Sequence, residues 1–194
     1  MGEQTSLTII SLSTLLNSEK LDKDTIQCAL SSFCPVKDHE DIKHFLDKAA
    51  IPQEEQKISR TYLWLDEKSL AVKEIKILGF FAIALKVFRF SEEISIKKRQ
   101  RITKNSNQET NQFAPAFLIG QVSRSIDTQK GVGIILVREA LSRIKEAQNI
   151  VGGNFVYLDC HNETKIIDNY MKSGFKYLQD KQDGSGDIQM YLKL

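Results

Sequence analysis

The feature that most constrains this chain is the order of elements predicted for residues 117–194. An apolar strand, "FLIGQVSRS", leads into an amphipathic helix, "GVGIILVREALSRIKEAQ", whose apolar residues recur at helical spacing. A second apolar strand, "GGNFVYLDC", precedes a short helix, "NETKIIDNYMKSG", and a terminal hairpin of "FKYLQ" and "DIQMYLKL". This order predicts a mixed sheet with helices packed on its faces.

The first half gives weaker signals. Two strands, "SRTYLWLD" and "ILGFFAIALKVF", are predicted to form a hairpin, two short helices precede them, and "SLTIIS" is predicted as an edge strand. A run rich in Lys and Arg, "SIKKRQRITK", and the polar stretch "NSNQETNQ" are predicted as a basic polar loop at about 91–112. With 194 residues, we expect one domain over 1–194 that includes this loop.

Composition excludes several classes of protein. Hydrophobic residues make up 41% and charged residues 27%, as in a globular protein, and the net charge of +2 does not by itself predict a nucleic-acid partner. No apolar span is long enough to cross a bilayer, and the start lacks signal-peptide features. The three cysteines and three histidines lack metal-ligand spacing, and an odd cysteine count suits a reducing compartment. We therefore expect a cytoplasmic protein with no metal and no membrane contact.

A polar loop followed by a helix that starts at glycines is a candidate anion site. The first amides of a helix have no partner within it, and the helix dipole favours negative charge there. Gly131 and Gly133 would let a phosphate approach the backbone closely. Glycines are common at helix starts, so the loop alone does not establish this role.

The order of parts in this half resembles the GNAT acyltransferases. Their closing pattern of a tyrosine, three residues and then "GF" is present here as "YMKSGF". The resemblance implies a GNAT fold of the α+β class, with a mostly antiparallel mixed sheet of six to seven strands flanked by helices. It also implies that strands 4 and 5 splay apart into a cleft for acetyl-CoA, the co-substrate.

A narrower resemblance extends into the first half. Toxin-type GNAT acetyltransferases of bacterial toxin-antitoxin modules have similar segments in the same order as "FCPVKDHEDIKHFLDKAA", "SRTYLWL", "LGFFAIAL" and "APAFLIGQV" here. These enzymes transfer acetyl to the amino acid on a charged tRNA. This resemblance indicates common ancestry more strongly than a common substrate.

The family resemblance implies a set of site residues. Backbone amides on the fourth strand would polarise the thioester carbonyl, the glycine loop would hold the pyrophosphate, one residue would contact the pantetheine, and Tyr170 would be the general acid that protonates the sulfur of coenzyme A. The amides on the fourth strand belong to Val122, Ser123 and Arg124, and the pantetheine contact is Asn162. The residues of the glycine loop are Gln129, Lys130, Gly131, Val132 and Gly133. No residue stands out as the base that accepts the proton of the amine.

Two features depart from a simple assignment. The loop "SIDTQKGVGI" lacks the first glycine of the family pattern and is one residue short. Either Lys130 replaces an amide contact to the pyrophosphate by a charge contact, or the loop no longer binds the cofactor. Helical spacing places Tyr170 on the same stripe as Ile166 and Ile167, which is typical of a core residue. The family match instead favours a proton donor.

The sequence leaves the acceptor and the partners open. Charged tRNA would be held through Lys97, Lys98, Arg99 and Arg101, whereas a solvated loop is the alternative interpretation of the same run. A small-molecule amine or a protein amine is a second possibility, and a catalytically silent GNAT-like module that binds a protein is a third. The toxin resemblance implies an antitoxin protein and a homodimer, neither of which the composition decides.

Overall fold

The structure is a computed structural model that describes residues 8–36, 40–71, 74–105 and 112–194. One seven-stranded mixed sheet has the strand order β1-β2-β3-β4-β5-β7-β6. The strands are β1 Thr8–Ser11, β2 Arg60–Leu65, β3 Ile77–Arg89, β4 Phe113–Arg124, β5 Phe155–Cys160, β6 Lys176–Asp180 and β7 Ile188–Lys193. The predicted fold class, a mostly antiparallel mixed sheet flanked by helices, is therefore confirmed.

Eight α-helices are assigned within the described residues. A π-helical segment, Phe45–Ala49, joins α3 to α4. The helices are α1 Leu12–Leu16, α2 Lys23–Ser31, α3 Glu40–His44, α4 Ala50–Glu55, α5 Glu67–Ala71, α6 Ile96–Thr103, α7 Val132–Val151 and α8 Thr164–Lys172. None of them, over the part of the chain that the structure describes, has the length and apolar character needed to cross a membrane.

The chain divides into two compact units. The first contains Met1–Ala82 and Gln121–Leu136, and the second contains Ile83–Gly120 and Val137–Leu194. The core of the first unit joins α1 to α4 with β2 and β3, and Phe80 at its centre contacts the rings of Phe33 and Phe45. In the second unit Phe88 packs against Phe90, Phe155 and Tyr157, and this core also takes in Ile102 of α6. Each unit thus has its own aromatic-rich core.

The pairing of β4 with β5 is short. The two strands run parallel and pair at Phe117↔Val156 and Leu118↔Tyr157. By contrast, β5 pairs with β7 at six positions. Because β4 spans Phe113–Arg124, its second half extends past the paired residue Leu118.

One prediction for the connections was wrong: the segment predicted as a basic loop at about 91–112 contains α6. The strands β2 and β3 are neighbours in the sheet, as in the predicted hairpin, and their connection contains α5. Ser95 begins α6 by accepting a hydrogen bond from the amide of Lys98, and Ile102 is its buried apolar anchor. With so few apolar positions α6 shows no helical stripe in the sequence. Part of the polar run, residues 106–111, lies outside the described residues.

Gly153, just before β5, allows a close contact with β4. A methyl group on Gly153 would lie 2.6 Å from Phe117 Cε2, and the residue has φ +123°. We expect Gly153→Ala to lower the free energy of unfolding by about 3 kcal/mol, because it combines backbone strain with overpacking. Urea denaturation measures this loss.

Gly152→Ala is the matched control. Gly152 has φ +78°, but no atom lies within 4 Å of its added methyl group. It should lose only about 1 kcal/mol, the cost of a left-handed backbone. If both variants lose the same free energy of unfolding, the contact of residue 153 with Phe117 does not contribute to the loss.

Candidate active site

The loop between β4 and α7 is fixed by hydrogen bonds within the first unit. The Arg124 guanidinium donates to the carbonyl of Thr128 over 2.7 Å, and the Thr128 hydroxyl donates to the carbonyl of Ser125 over 2.6 Å. Asp127 forms an ion pair with Lys76 at 3.0 Å. The turn before the glycines is therefore stabilised by hydrogen bonds and an ion pair, and one of these hydrogen bonds comes from the side chain of Arg124.

The glycine start of α7 leaves its backbone open. Gly131 has φ +97°, and no atom lies within 4 Å of a methyl group built on Gly131 or Gly133. Gln129 and Lys130 are exposed, whereas Val132 is buried and anchors the helix start. An exposed ammonium beside an accessible helix N-terminus fits a pyrophosphate. The residues present therefore fit this part of acetyl-CoA, although the first family glycine is missing.

The predicted oxyanion amides lie on the last residues of β4. The amide of Ser125 donates to Leu78 on β3, and the amide of Val36 donates to the carbonyl of Arg124 from the opposite side. Alternate residues of a strand direct their amides to opposite edges, so Ser123 faces β3 while Val122 and Arg124 face away from it. Of the three predicted amides, only those of Val122 and Arg124 are directed to the edge away from β3.

Gly79 on β3 allows β4 and α7 to pack closely against it within the first unit. A methyl group built there would lie 2.8 Å from Leu136 Cδ1 and 3.2 Å from the carbonyl oxygen of Ser123. Because the Ser123 oxygen belongs to the backbone, a larger residue at position 79 would displace β4. Gly79 was missed in the sequence, where a single glycine inside a strand indicates a close backbone approach.

Tyr170 lies in the last turn of α8, in the second unit. The helix ends in a Schellman motif: Phe175 donates to the carbonyl of Tyr170 over 3.1 Å, and Gly174, with φ +92°, donates to that of Met171 over 2.9 Å. The ring of Tyr170 packs edge-on against Phe175 with their centroids 5.9 Å apart. The helix end therefore holds the tyrosine in one orientation.

The phenol of Tyr170 keeps its proton at neutral pH. Burial raises the pKa of Tyr170 well above its usual range, and the nearby Cys160 raises it further. Burial also raises the pKa of the Cys160 thiol to about 11. Both groups are therefore neutral, and Tyr170 has a proton available for a developing thiolate.

The short helix predicted from Asn162 onward starts later in the structure. Glu163 donates to the carbonyl of His161 over 2.7 Å, and its own carbonyl accepts from Ile166 and Ile167. This tight turn delays the start of α8, so Glu163 is the N-cap and Asn162 is an exposed residue of the turn. Its predicted contact with pantetheine stays a prediction.

The basic run does not form one cationic patch. Arg99 is 8% exposed and donates to the carbonyls of Ile94, Ser91 and Glu92, so it braces the turn before α6. The ammonium of Lys98 lies 3.4 Å from the carbonyl of Leu178. Lys97 and Arg101 are exposed and remain candidates for binding a polyanion. The guanidinium of Arg99 is therefore committed internally, which does not favour the predicted contact of Arg99 with tRNA.

One pair of titratable side chains was missed in the sequence. His161 Nδ1 lies 2.8 Å from Asp187 Oδ1, immediately after β5 and immediately before β7. No three His, Cys, Asp or Glu side chains within residues 8–36, 40–71, 74–105 and 112–194 gather as a metal site would require. The site residues divide between the units: Val122 to Gly133 belong to the first, and Asn162 and Tyr170 to the second.

Comparisons with known proteins identify the fold. No family model and no curated protein matches the sequence. Among solved structures, AtaT complexed with acetyl-methionyl-tRNAfMet matches at 20% identity with a TM-score of 0.69, over 97% of this chain and 95% of that chain. AtaTR bound with AcCoA matches at 21% identity and 0.67, over 96% and 93%.

This chain has the GNAT fold. A mutant of KacT also matches at 18% identity with a TM-score of 0.68, over 96% of this chain and 94% of that chain. AtaT and KacT are GNAT-fold toxin acetyltransferases of toxin-antitoxin modules. The structural neighbours thus confirm the resemblance predicted from the sequence, whereas the roles of the glycine loop and Tyr170 stay predictions.

Lys130→Glu should weaken the binding of acetyl-CoA. Charge reversal beside the helix start replaces attraction to the pyrophosphate by repulsion, so we expect the dissociation constant to rise about tenfold or more, equivalent to about 1.4 kcal/mol. A thermal-shift titration with acetyl-CoA measures this, because a ligand at a hundred times its dissociation constant stabilises the fold by about 2.7 kcal/mol.

Lys145→Glu is the control for this prediction. Lys145 is an exposed lysine on the same helix, far from its N-terminus. It should leave the ligand-induced shift unchanged. If Lys130→Glu also leaves it unchanged, the lysine does not compensate for the missing glycine.

Proposed function

We propose that this chain is an acetyl-CoA-dependent N-acetyltransferase that acts on a primary amine. The observation that carries the proposal is the likeness, over nearly the whole chain, to GNAT-fold toxins, one of which is bound with AcCoA. The open helix start at Gly131 and the neutral phenol of Tyr170 supply two of the chemical functions that such a reaction needs, an anion site and a proton donor. Solved neighbours also include tyrosine-to-phenylalanine mutants of AtaT and KacT.

The residues of this chain have distinct roles in the proposed reaction. Lys130 and the amides at Gly131 and Gly133 hold the pyrophosphate. The amides of Val122 and Arg124 donate to the thioester oxygen as it gains charge, an effect worth about 3 kcal/mol per donor in other enzymes. Tyr170 gives its proton to the departing sulfur.

The first acceptor to test is the amino acid of a charged tRNA. The structure of AtaT complexed with acetyl-methionyl-tRNAfMet supports this choice for a chain of the same fold. Lys97 and Arg101 are the exposed cations of the basic run and would contact phosphates. Lys98 and Arg99, which the sequence placed in the same footprint, instead contact carbonyls of the chain itself.

The acceptor is tested by comparing a charged tRNA with the same amino acid as a free amide. Transfer to the tRNA should be preferred and should weaken steeply as salt rises. Replacing Lys97 and Arg101 by Glu should raise KM for the tRNA about tenfold and reduce the salt slope by about one unit per lost contact. Transfer to the free amine should not change. If both acceptors are used equally at all salt concentrations, the enzyme does not recognise the tRNA part of the acceptor.

A second candidate function is a catalytically silent GNAT-like module that binds a protein. The loop that lacks its first glycine favours this candidate. An antitoxin would be a natural partner, since a neighbouring AtaT structure is bound to the C-terminus of the antitoxin AtaR. A cytoplasmic location, a homodimer and one domain over 1–194 also stay predictions. Binding of acetyl-CoA followed by turnover distinguishes the enzyme from the silent module.

A further inference from the structure

The strand β3 extends beyond its neighbour β2. The end of β2 lies beside the start of β3, and further along the rings of Tyr62 and Phe81 stack with their centroids 5.0 Å apart. β2 begins at Arg60, just before Tyr62, whereas β3 continues from Phe81 to Arg89. Within the described residues, β2 and β4 are the strands that border β3. The last part of β3 therefore has an open edge on the side away from β4.

The backbone of this last part of β3 alternates between β4 and the open edge. The amide of Phe90 donates to the carbonyl of Gln112, just before β4, over 2.8 Å. Alternate residues of a strand direct their backbone groups to opposite sides. Lys86 therefore faces β4, like Phe90, whereas Leu85 and Val87 direct their amides and carbonyls to the open edge.

One face of the sheet at this edge is apolar and exposed. Leu85 is 57% exposed, Val87 is 70% exposed, and Phe113 of β4 is 54% exposed. Arg89 lies on the same face, because its guanidinium carbon is 5.9 Å from the centroid of the Phe113 ring. The side chains of a strand alternate between faces, so Lys86, which is also exposed, lies on the opposite face. The edge thus combines an apolar face with two cations.

The charges at this edge favour an acidic partner. The segment Leu85–Arg89 contains Lys86 and Arg89 and no acidic residue. Pairing with the same edge of a second copy would bring the cations of both copies onto one short ladder, which is unfavourable. A stable dimer also buries about 800 Å² on each partner, more than these few side chains provide. A single added strand needs less area, because main-chain hydrogen bonds supply part of its affinity.

We propose that the open edge of β3, Leu85–Arg89, binds an extended segment of another protein in which apolar residues alternate with acidic ones. The segment adds a strand beside β3 through the backbone of Leu85 and Val87. Its apolar side chains cover Leu85, Val87 and Phe113, and its acidic side chains reach Lys86 on the other face. This interaction surface goes beyond the proposed acetyltransferase function and does not depend on it.

Amide hydrogen exchange, followed residue by residue by NMR, tests the open edge in the free protein. We expect the amides of Leu85 and Val87 to be protected at least about tenfold less than the amide of Lys86, which faces β4. Equal protection at the three positions would show that the edge is already covered, and would overturn the proposal.

A short synthetic peptide of alternating valine and aspartate, capped at both ends, is the probe for binding. Titrating the full chain with it should raise the protection of the Leu85 and Val87 amides about tenfold and leave that of Lys86 unchanged. Binding should weaken as salt rises, because it includes charge pairs. A control peptide with its valines and aspartates in separate blocks should have no effect. No binding, binding that protects neither amide, or equal effects of the two peptides would overturn the proposal.

Val87→Pro and Val87→Thr form a matched pair of variants. Proline removes the amide that Val87 directs to the open edge, and an edge strand tolerates it because no bond to β4 is lost. Val87→Pro should weaken binding of the acidic peptide about tenfold or more. Threonine keeps the amide and favours a strand, so Val87→Thr should bind within about threefold of the wild type. Lys86→Glu should instead prefer a peptide of alternating valine and lysine.

The outcomes also decide which partner takes the edge. If Val87→Pro binds the acidic peptide as tightly as Val87→Thr does, the edge is not the binding site and the proposal is overturned. Analytical ultracentrifugation measures self-association of the wild type. A dimer that Val87→Pro dissociates would assign the edge to a second copy, which also overturns the proposal. If Val87→Pro does not fold, the exchange pattern of the wild type and the charge preference of Lys86→Glu decide.

Discussion

Tyr170→Phe should lower kcat about 10²–10⁴-fold while the protein stays folded and still binds acetyl-CoA. The substitution removes the phenol proton, which the departing thiolate needs. It keeps the aromatic ring that packs edge-on against Phe175. Steady-state assays of acetyl transfer measure kcat, and thermal shift with acetyl-CoA measures retained binding.

Tyr177→Phe is the matched control. Tyr177 is an exposed tyrosine on β6 whose hydroxyl donates to Asp180 over 2.9 Å. We expect its kcat to equal that of the wild type. If Tyr170→Phe also retains full kcat, Tyr170 is a core residue, as its helical stripe first suggested.

The raised pKa of Tyr170 sets the pH dependence of this step. An unperturbed tyrosine titrates near pH 10, and the folded protein moves this pKa upward, so the phenol stays protonated throughout pH 6–9. The donor therefore causes no loss of kcat on the alkaline side of this range. A fall in kcat between pH 7 and pH 9 would contradict the environment described for Tyr170.

Arg99→Met should lower the free energy of unfolding by about 3 kcal/mol, or roughly 6–12 °C in Tm. Methionine keeps the apolar stem but leaves three carbonyls without their charged donor. These carbonyls belong to the turn that leads into α6, so the start of that helix should loosen. Urea denaturation measures the loss.

Arg101→Met tests whether this effect depends on position. Arg101 is exposed on the same helix, and its loss should change stability by no more than about 0.5 kcal/mol. Equal effects for the two variants would show that Arg99 contributes only surface charge. The comparison also explains why a tRNA footprint has to be tested at Lys97 and Arg101, with Arg99 left in place.

The second half of the fold could be predicted because its local signals agree. The apolar stripe of α7, the glycine stop after α8 and the alternation in β7 all favour the same element order. The helix α6 could not be predicted, because Arg99 occupies a buried position where the pattern requires an apolar residue. A buried arginine is recognisable only once the carbonyls around it are in place.

The candidate site was predictable to a lesser degree. The glycine loop and Tyr170 carry local sequence patterns, so the sequence alone predicts both as candidates. The pair of His161 and Asp187 has no such pattern, since its members are 26 positions apart and meet only through the β5–β7 register. The direction of the amides at Ser123 and Arg124 also depends on pairing with neighbouring strands, which the sequence of β4 alone does not specify.

The most direct test of the account is transfer of label from isotopically labelled acetyl-CoA to an amine. Wild type and Tyr170→Phe are each incubated with charged tRNAs and with a panel of free amines, and the products are identified by mass spectrometry. We predict an N-acetylated amine and free coenzyme A with the wild type, and a loss of at least about 10²-fold with Tyr170→Phe. Labelled acetyl-CoA that is bound but never transferred to any amine would contradict the account and favour a silent module.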